Sequence, residues 1–219
     1  MNPKEKQIYE DALKEKKELK QAKTVFIVGS GPSLKDFDFK QLTNKYTVAL
    51  NDVIYYLPNP DGFVFYDRRW WERNYIRLDH RFTQLKPIPW AATFDRTPRH
   101  YPINYAIFYF KIGGTEGIDT RPEFVKTGNN VCHLAINISL KIPFIERIVL
   151  IGIDMTYKKD RYFYGDDKSH DVHEFTRQLP YFERIWRELP EGIEIINANP
   201  GSAIDCFKKM DREKAIEIY

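Results

Sequence analysis

The sequence predicts an α/β fold: a Rossmann-like single domain with a mostly parallel central sheet, helices on both of its faces, and a charged helix at the N-terminus. Three observations lead there. Short, wholly apolar runs alternate with longer mixed stretches, the pattern of a sheet buried on both sides. The first run ends in a glycine-rich turn and a later one ends in Gly-Ile-Asp. The 219 residues are 42% hydrophobic and 15% aromatic, enough for one large core. Residues 1–23 are accordingly an N-terminal helical arm, and residues 24–219 are the domain.

Each element follows from its local pattern. Residues 4–22 are rich in Lys and Glu with sparse apolar points, which gives an exposed helix, either solvated or docked on another subunit. "TVFIVG" (24–29), "YTVALN" (46–51) and "GFVFYD" (62–67) are strands, and residues 68–79 are helical in composition. "PIPWAATF" (87–94) and "NYAIFYFK" (104–111) are further strands, followed by a loop over 112–123. A helix over 127–142 opens with Thr127 as N-cap and stops at Pro143. "ERIVLIGID" (146–154) is the strongest strand, and the polar, aromatic stretch 155–169 is a long functional loop. A helix over 170–189 contains Pro180, where a bend is expected. A last strand (193–200) and a short closing helix (202–210) complete the chain.

Bulk composition narrows the function. With 34 basic and 31 acidic residues the charge is only +3, which does not by itself mark a nucleic-acid binder. Cys132 and Cys206 match no zinc spacing and are read as reduced thiols. The first residues lack the apolar stretch of a signal peptide, and no run is long enough to span a bilayer. A cytoplasmic protein is expected, with a homo-oligomer left open.

In parallel sheets ligands bind beyond the carboxyl ends of the strands, near the switch in strand order. The first such turn, "GSGPSL", is not a dinucleotide fingerprint: Leu34 replaces the third glycine, and Asn51 stands where strand two would end in an acid. It also lacks the Lys-Ser/Thr of a triphosphate loop. It is either a plain strand–helix turn or, through the backbone N–H groups of Gly29, Ser30, Gly31 and Ser33 around Pro32, a seat for an anion. "TGNN" (127–130) is either a helix cap or a second anion seat, with Gly128 allowing close approach and Thr127 and Asn129 or Asn130 donating. His170 and His173 follow Asp166 and Asp167. Together they read as a metal site, as a general base poised near neutral pH, or as a solvated helix start. The loop "YKKDRYFYG" can grip phosphate through its basic residues and the hydroxyls of Tyr162 and Tyr164, or stack a base.

Taken together, "GSGPSL", "ALNDVIYY", "FVFYD", "TGNNVCHLAI", "ERIVLIGIDM" and "IINANPGS" resemble, in order and character, the bacterial sialyltransferases of the Campylobacter lipooligosaccharide type. They also look like the wider superfamily of motility-associated-factor glycosyltransferases and 6-hydroxymethylpterin diphosphokinases. The resemblance spans residues 25–207, and "GPSL" and "GID" are its most specific parts.

The resemblance implies an inverting, metal-independent glycosyltransferase. Its donor would be a nucleotide-activated sugar, CMP-linked and perhaps a nonulosonic acid, and its acceptor a glycan, a protein or a modified base. It implies nucleotide contacts from Gly29 to Ser33, with Ser30 where the family has Asn, and from Asn51, Asp67, Thr127, Gly128, Asn129 and Asp154. Asp67 stands where the family has Asn. His173, with His170 as the fallback, is implied as base, and Tyr162 or Tyr164 as leaving-phosphate partners. The family's arginine ahead of the helix falls on Phe124 here, with Arg121 the nearest arginine. Two alternatives stand beside this. One is a Mg²⁺- and ATP-dependent pyrophosphokinase using Asp67, Asp154 and Asp166 or Asp167. The other is a nucleotide-binding module without catalysis.

Overall fold

The computed structural model of the protein describes residues 23–85, 90–93, 107–156, 162–165 and 174–219. The N-terminal arm, His170 and His173 lie outside the described residues. Within them, an eight-stranded sheet forms from β1 (Thr24–Val28), β2 (Thr47–Leu50), β3 (Gly62–Val64), β4 (Trp90–Thr93), β5 (Ile107–Tyr109), β8 (Arg147–Ile151), β9 (Glu194–Asn197) and β10 (Lys208–Lys209). Its order is β10-β9-β8-β1-β2-β3-β4-β5, and every pair is parallel. The expected parallel sheet is therefore the fold. From β1 the chain steps outward one way to β5 and later the other way from β8 to β10. The switch point therefore lies between β1 and β8.

Alternation along the strands divides the core in two. Phe26, Val28, Ala49, Phe63 and Val149 face one side, covered by Trp70, Trp71, Leu78 and Phe82 of α1 (Arg68–Gln84) and by Ala215 and Ile216 of α4 (Arg212–Ile218). Val25, Ile27, Val48, Leu50, Ile148 and Leu150 face the other, covered by α2 (Val131–Ser139) and by Phe182 and Ile185 of α3 (Glu174–Glu188). Strands buried on both faces must be apolar throughout, which is why they were visible as unbroken hydrophobic runs. Pro180 lies inside α3.

Four expectations need correction. The helix expected over 127–142 runs only from Val131 to Ser139, and its N-cap is Asn130 rather than Thr127. Its Oδ1 accepts from the amides of Cys132 (2.8 Å) and His133 (3.4 Å). Gly128 and Asn129 have φ of 54° and 48°, so the chain is still turning where Thr127 would have capped. The stretch 112–123 is not all loop: β6 (Lys111–Gly114) pairs with β7 (Phe124–Lys126) in a separate two-stranded sheet. No closing helix forms over 202–210. There Ala203 N–H donates to Asp154 O (2.8 Å) and Ser202 Oγ to Ile153 O (2.7 Å), so the segment is bonded to the end of β8 instead of to itself. The helix comes later, as α4, capped by Asp211. Finally, "GSGPSL" leads into a single 3₁₀ turn, Pro32–Leu34, not a helix.

Candidate functional site

Leaving β1, the chain does not open a ring of free amides. Gly29 N–H donates to Ile151 O and Gly31 N–H to Gly152 O, both at 2.8 Å. Ser33 N–H donates to Asp154 Oδ2 at 3.0 Å, and Pro32 has no N–H. Only the Ser30 amide lacks an acceptor among the described residues. The turn is thus laced to the end of β8. Asp154, 6% exposed, also accepts from Asn199 Nδ2 in the turn after β9. Its carboxylate joins three strand ends across the switch point.

Two glycines make this lacing possible. A Cβ on Gly31 would fall 1.8 Å from Asp154 Oδ2. Its φ and ψ of −61° and 152° suit any residue, so Gly31 is needed for space rather than for conformation. Gly152 is needed for both reasons, since its φ is 65° and a Cβ would meet Leu34 Cδ1 at 2.5 Å. Leu34, 1% exposed, is the residue that breaks the dinucleotide fingerprint, and here it fills the core against Gly152. "GPSL" and "GID" are two halves of one packed joint.

Strain gathers around this joint. Asn51, Gly128, Asn129, Gly152 and Met155 all have left-handed φ, between 47° and 65°, and all lie just past β2, β7 or β8. Residues held in such conformations concentrate at ligand sites. Asn51 adds a second anomaly: its Oδ1 is buried and has no hydrogen-bond partner among the described residues, a state that costs free energy unless something donates to it.

Side chains, not amides, form the polar rim. Tyr164 Oη donates to Asp52 Oδ2 (3.0 Å) and is hydrogen-bonded to the Ser30 side chain. Burial, then the Asp52 charge, raises the Tyr164 phenol well above its ordinary value. The Tyr164 ring stacks on Tyr56 (5.7 Å, 7°) and on Tyr162 (5.2 Å, 13°). Phe163 N–H donates to Ser30 O at 3.0 Å, and its ring meets Tyr56 and Phe39. The 162–165 segment is therefore fastened onto the first turn.

A second cluster lies past β3 and β7. Tyr66 Oη donates to Asn129 Oδ1 at 3.2 Å and is hydrogen-bonded to Thr127; burial raises its pKa. Gln178 of α3 accepts from Asn130 Nδ2 (2.7 Å) and donates from Nε2 to Asn129 O (2.8 Å). Gln178 also donates to Glu174 Oε1 at 3.4 Å, which brings the first turn of α3 to this cluster.

Most amides around the α2 N-terminus already have acceptors. Gly128 N–H reaches Thr115 O, Asn130 N–H reaches Thr127 O, and those of Cys132 and His133 reach the cap. Asp67 caps α1, accepting from Arg69 N–H at 2.8 Å. Arg121 is paired in two hydrogen bonds with Asp119 and lies over the Phe124 ring at 3.7 Å. Among the described residues no three His, Cys, Asp or Glu side chains are grouped to hold a metal ion.

Of the residues picked from sequence, Ser30, Gly31, Ser33, Asp154 and Tyr164 come together at the β1/β8 joint, and Tyr162 stacks beside them. Asn51 ends the adjacent strand. Thr127 and Asn129 join the second cluster. Asp52, Tyr66, Gln178 and Asn199 were missed. Asp52 had a signal, since it stands about 20 residues past the glycine turn, where an acid is expected in nucleotide-binding α/β folds.

No protein-family model matches the chain. No curated protein matches it in sequence. Among solved structures, the sialyltransferase CstII from Campylobacter jejuni, in complex with a substrate analogue, cytidine-5'-monophosphate, is similar with a TM-score of 0.49 and 15% identity, over 85% of this chain and 84% of its own. A similarity at that level carries no weight for fold or chemistry, which rest on the strand order and hydrogen bonds given above. Among the described residues no helix is long and apolar enough to cross a membrane.

Proposed function

We propose that the protein transfers a sugar from a nucleotide-activated donor, CMP-linked in the favoured case, to an acceptor hydroxyl, with inversion and without a metal. The observation that supports this best is the polar, strained rim at the β1/β8 switch point. There a buried Asn51 acceptor awaits a donor, and Ser30, Tyr164 and Asp52 form a hydrogen-bonded chain. This is where a parallel sheet receives a nucleotide, and the motif order of the sequence points to the same class.

In this reading His173 takes the proton from the acceptor hydroxyl as that oxygen attacks the anomeric carbon. The bond from the anomeric carbon to the donor phosphate breaks, and its electron pair leaves with the phosphate. Because Gly31 and Ser33 N–H are already bonded to Gly152 and Asp154, the developing charge falls to the Ser30 amide, Asn129 and Tyr162. Tyr164 is committed to Asp52 and shapes the wall. Donors fixed in advance supply such stabilisation without reorganisation.

The test is release of CMP from CMP-linked nonulosonic acids in the presence of candidate acceptors. His173→Ala should slow transfer about 100-fold or more, the usual range for a general base, while CMP affinity measured by calorimetry stays unchanged. Near-normal transfer by that variant removes His173 from the mechanism. Thermal stabilisation by ATP with Mg²⁺ and none by CMP would replace the reading with pyrophosphoryl transfer.

A further inference from the structure

We propose that Asp52 is the residue that reads the ribose of the nucleotide, accepting hydrogen bonds from its vicinal hydroxyls. This rests on the nucleotide reading above and adds to it a residue and a sugar specificity. Three observations point there. Asp52 directly follows Asn51, the first residue past β2, whose φ of 47° turns the chain sharply at the strand end. In parallel folds that seat nucleotides, a carboxylate at this strand end accepts from the ribose diol, because one carboxylate spans two adjacent hydroxyls.

The second observation is how Asp52 is held. Tyr164 Oη donates to Oδ2 and is itself hydrogen-bonded to Ser30 of the first turn. The Tyr164 ring is clamped in a stack between Tyr56 and Tyr162. The carboxylate is thus half-buried and oriented, and among the described residues no hydrogen bond or ion pair engages its Oδ1. Among the described residues no arginine or lysine pairs with it, a partner that a purely structural half-buried carboxylate would ordinarily recruit.

The third observation is its neighbour. Among the described residues Asn51 Oδ1 is a buried acceptor without a partner. Two successive residues past β2 therefore each carry an acceptor unfilled among the described residues. Ligand hydroxyls donate to the Asp52 carboxylate, whereas its negative charge disfavours a phosphate beside it. The phosphate must then lie away from β2, toward the Ser30 amide and the Asn129 side chain, which sets the ligand's direction across the strand ends.

The experiment is isothermal titration of the full chain with CMP, UMP, AMP and GMP, and then of the best binder's 2′-deoxy and 3′-deoxy counterparts. The expected result is that losing either hydroxyl weakens binding at least about tenfold, the loss of a charge-assisted hydrogen bond. Asp52→Asn, which keeps an oxygen for Tyr164, should weaken the ribonucleotide by a similar factor and leave the deoxynucleotides unchanged, so the preference falls to about one. Tyr164→Phe should weaken all of them modestly and retain the preference.

Equal binding of ribo and deoxy forms by the wild type overturns the assignment of Asp52 and leaves the nucleotide reading intact. Loss of the preference in Tyr164→Phe rather than in Asp52→Asn also overturns it. So does an Asp52→Asn variant that melts at lower temperature and weakens all ligands alike, which would make Asp52 a support for Tyr164 only. No binding of any nucleotide by the folded wild type overturns both.

Discussion

Gly31→Ala is the sharpest test of the joint between "GPSL" and "GID". The new Cβ would fall 1.8 Å from Asp154 Oδ2, 2.6 Å from its Cγ and 2.7 Å from Gly152 O. Backbone conformation adds nothing to the cost, because Gly31 already has φ and ψ open to alanine. The carboxylate must leave, and its bonds to Ser33 N–H and Asn199 Nδ2 go with it. Each hydrogen bond to a charged group is worth about 1.5–3 kcal/mol, so about 4 kcal/mol of stability should be lost. That is a large share of the 5–15 kcal/mol typical of a folded domain, and for this chain length it lowers Tm by about 10 °C. Urea unfolding followed by circular dichroism measures it. Asp154→Ala should cost a similar amount by removing the same two bonds. The double variant should therefore cost little more than either alone, a coupling of about 3 kcal/mol. Effects that add to within about 0.5 kcal/mol would refute the joint, since independent sites behave that way.

Three further outcomes follow from the same geometry. Asn130→Ala removes the cap of α2 and the partner of Gln178, so unfolding free energy should fall by about 2 kcal/mol, the upper end for a lost cap; a change below about 0.5 would return the capping role to Thr127. Leu34→Ala empties the site against Gly152 and should cost about 2–5 kcal/mol in the same assay, against well under 1 if the turn were only a surface loop. Burial holds the His133 imidazole down at about 4, against about 6.5 in the unfolded chain. Between those values the unfolded state binds more protons, so stability is full above pH 6.5 and is lost as pH falls toward 4, by about 3 kcal/mol. Urea midpoints measured from pH 7 to 4 should drop less steeply in His133→Leu, and parallel curves would show that the imidazole is not held neutral.

The second cluster shows how far reading along the chain could go. "TGNN" contains two good caps, Thr127 and Asn130, and nothing local ranks them. The choice is made by Gly128 and Asn129, whose left-handed turn carries the chain past Thr127, and by Gln178 waiting on α3 to pair with Asn130. Asp52 was overlooked for a similar reason. Asn51 filled the expected strand-end position, and Asp52 stands out only when Tyr164, distant in sequence, closes on its carboxylate. Likewise the expected closing helix at 202–210 lost to bonds with Ile153 and Asp154, partners that local pattern cannot show.

By itself, the sequence determined the class of fold and where a glycine-led turn leaves the first strand. A strand covered on both faces must be apolar at every position, and a chain leaving it for a tight turn needs glycine, so both are written locally. Whether the glycine turn holds a ligand through its amides was decided only by the tertiary structure. Ser33 and Asp154 are 121 residues apart, and the bond between them exists because β1 and β8 lie side by side. That bond turns the apparent anion seat into a structural joint.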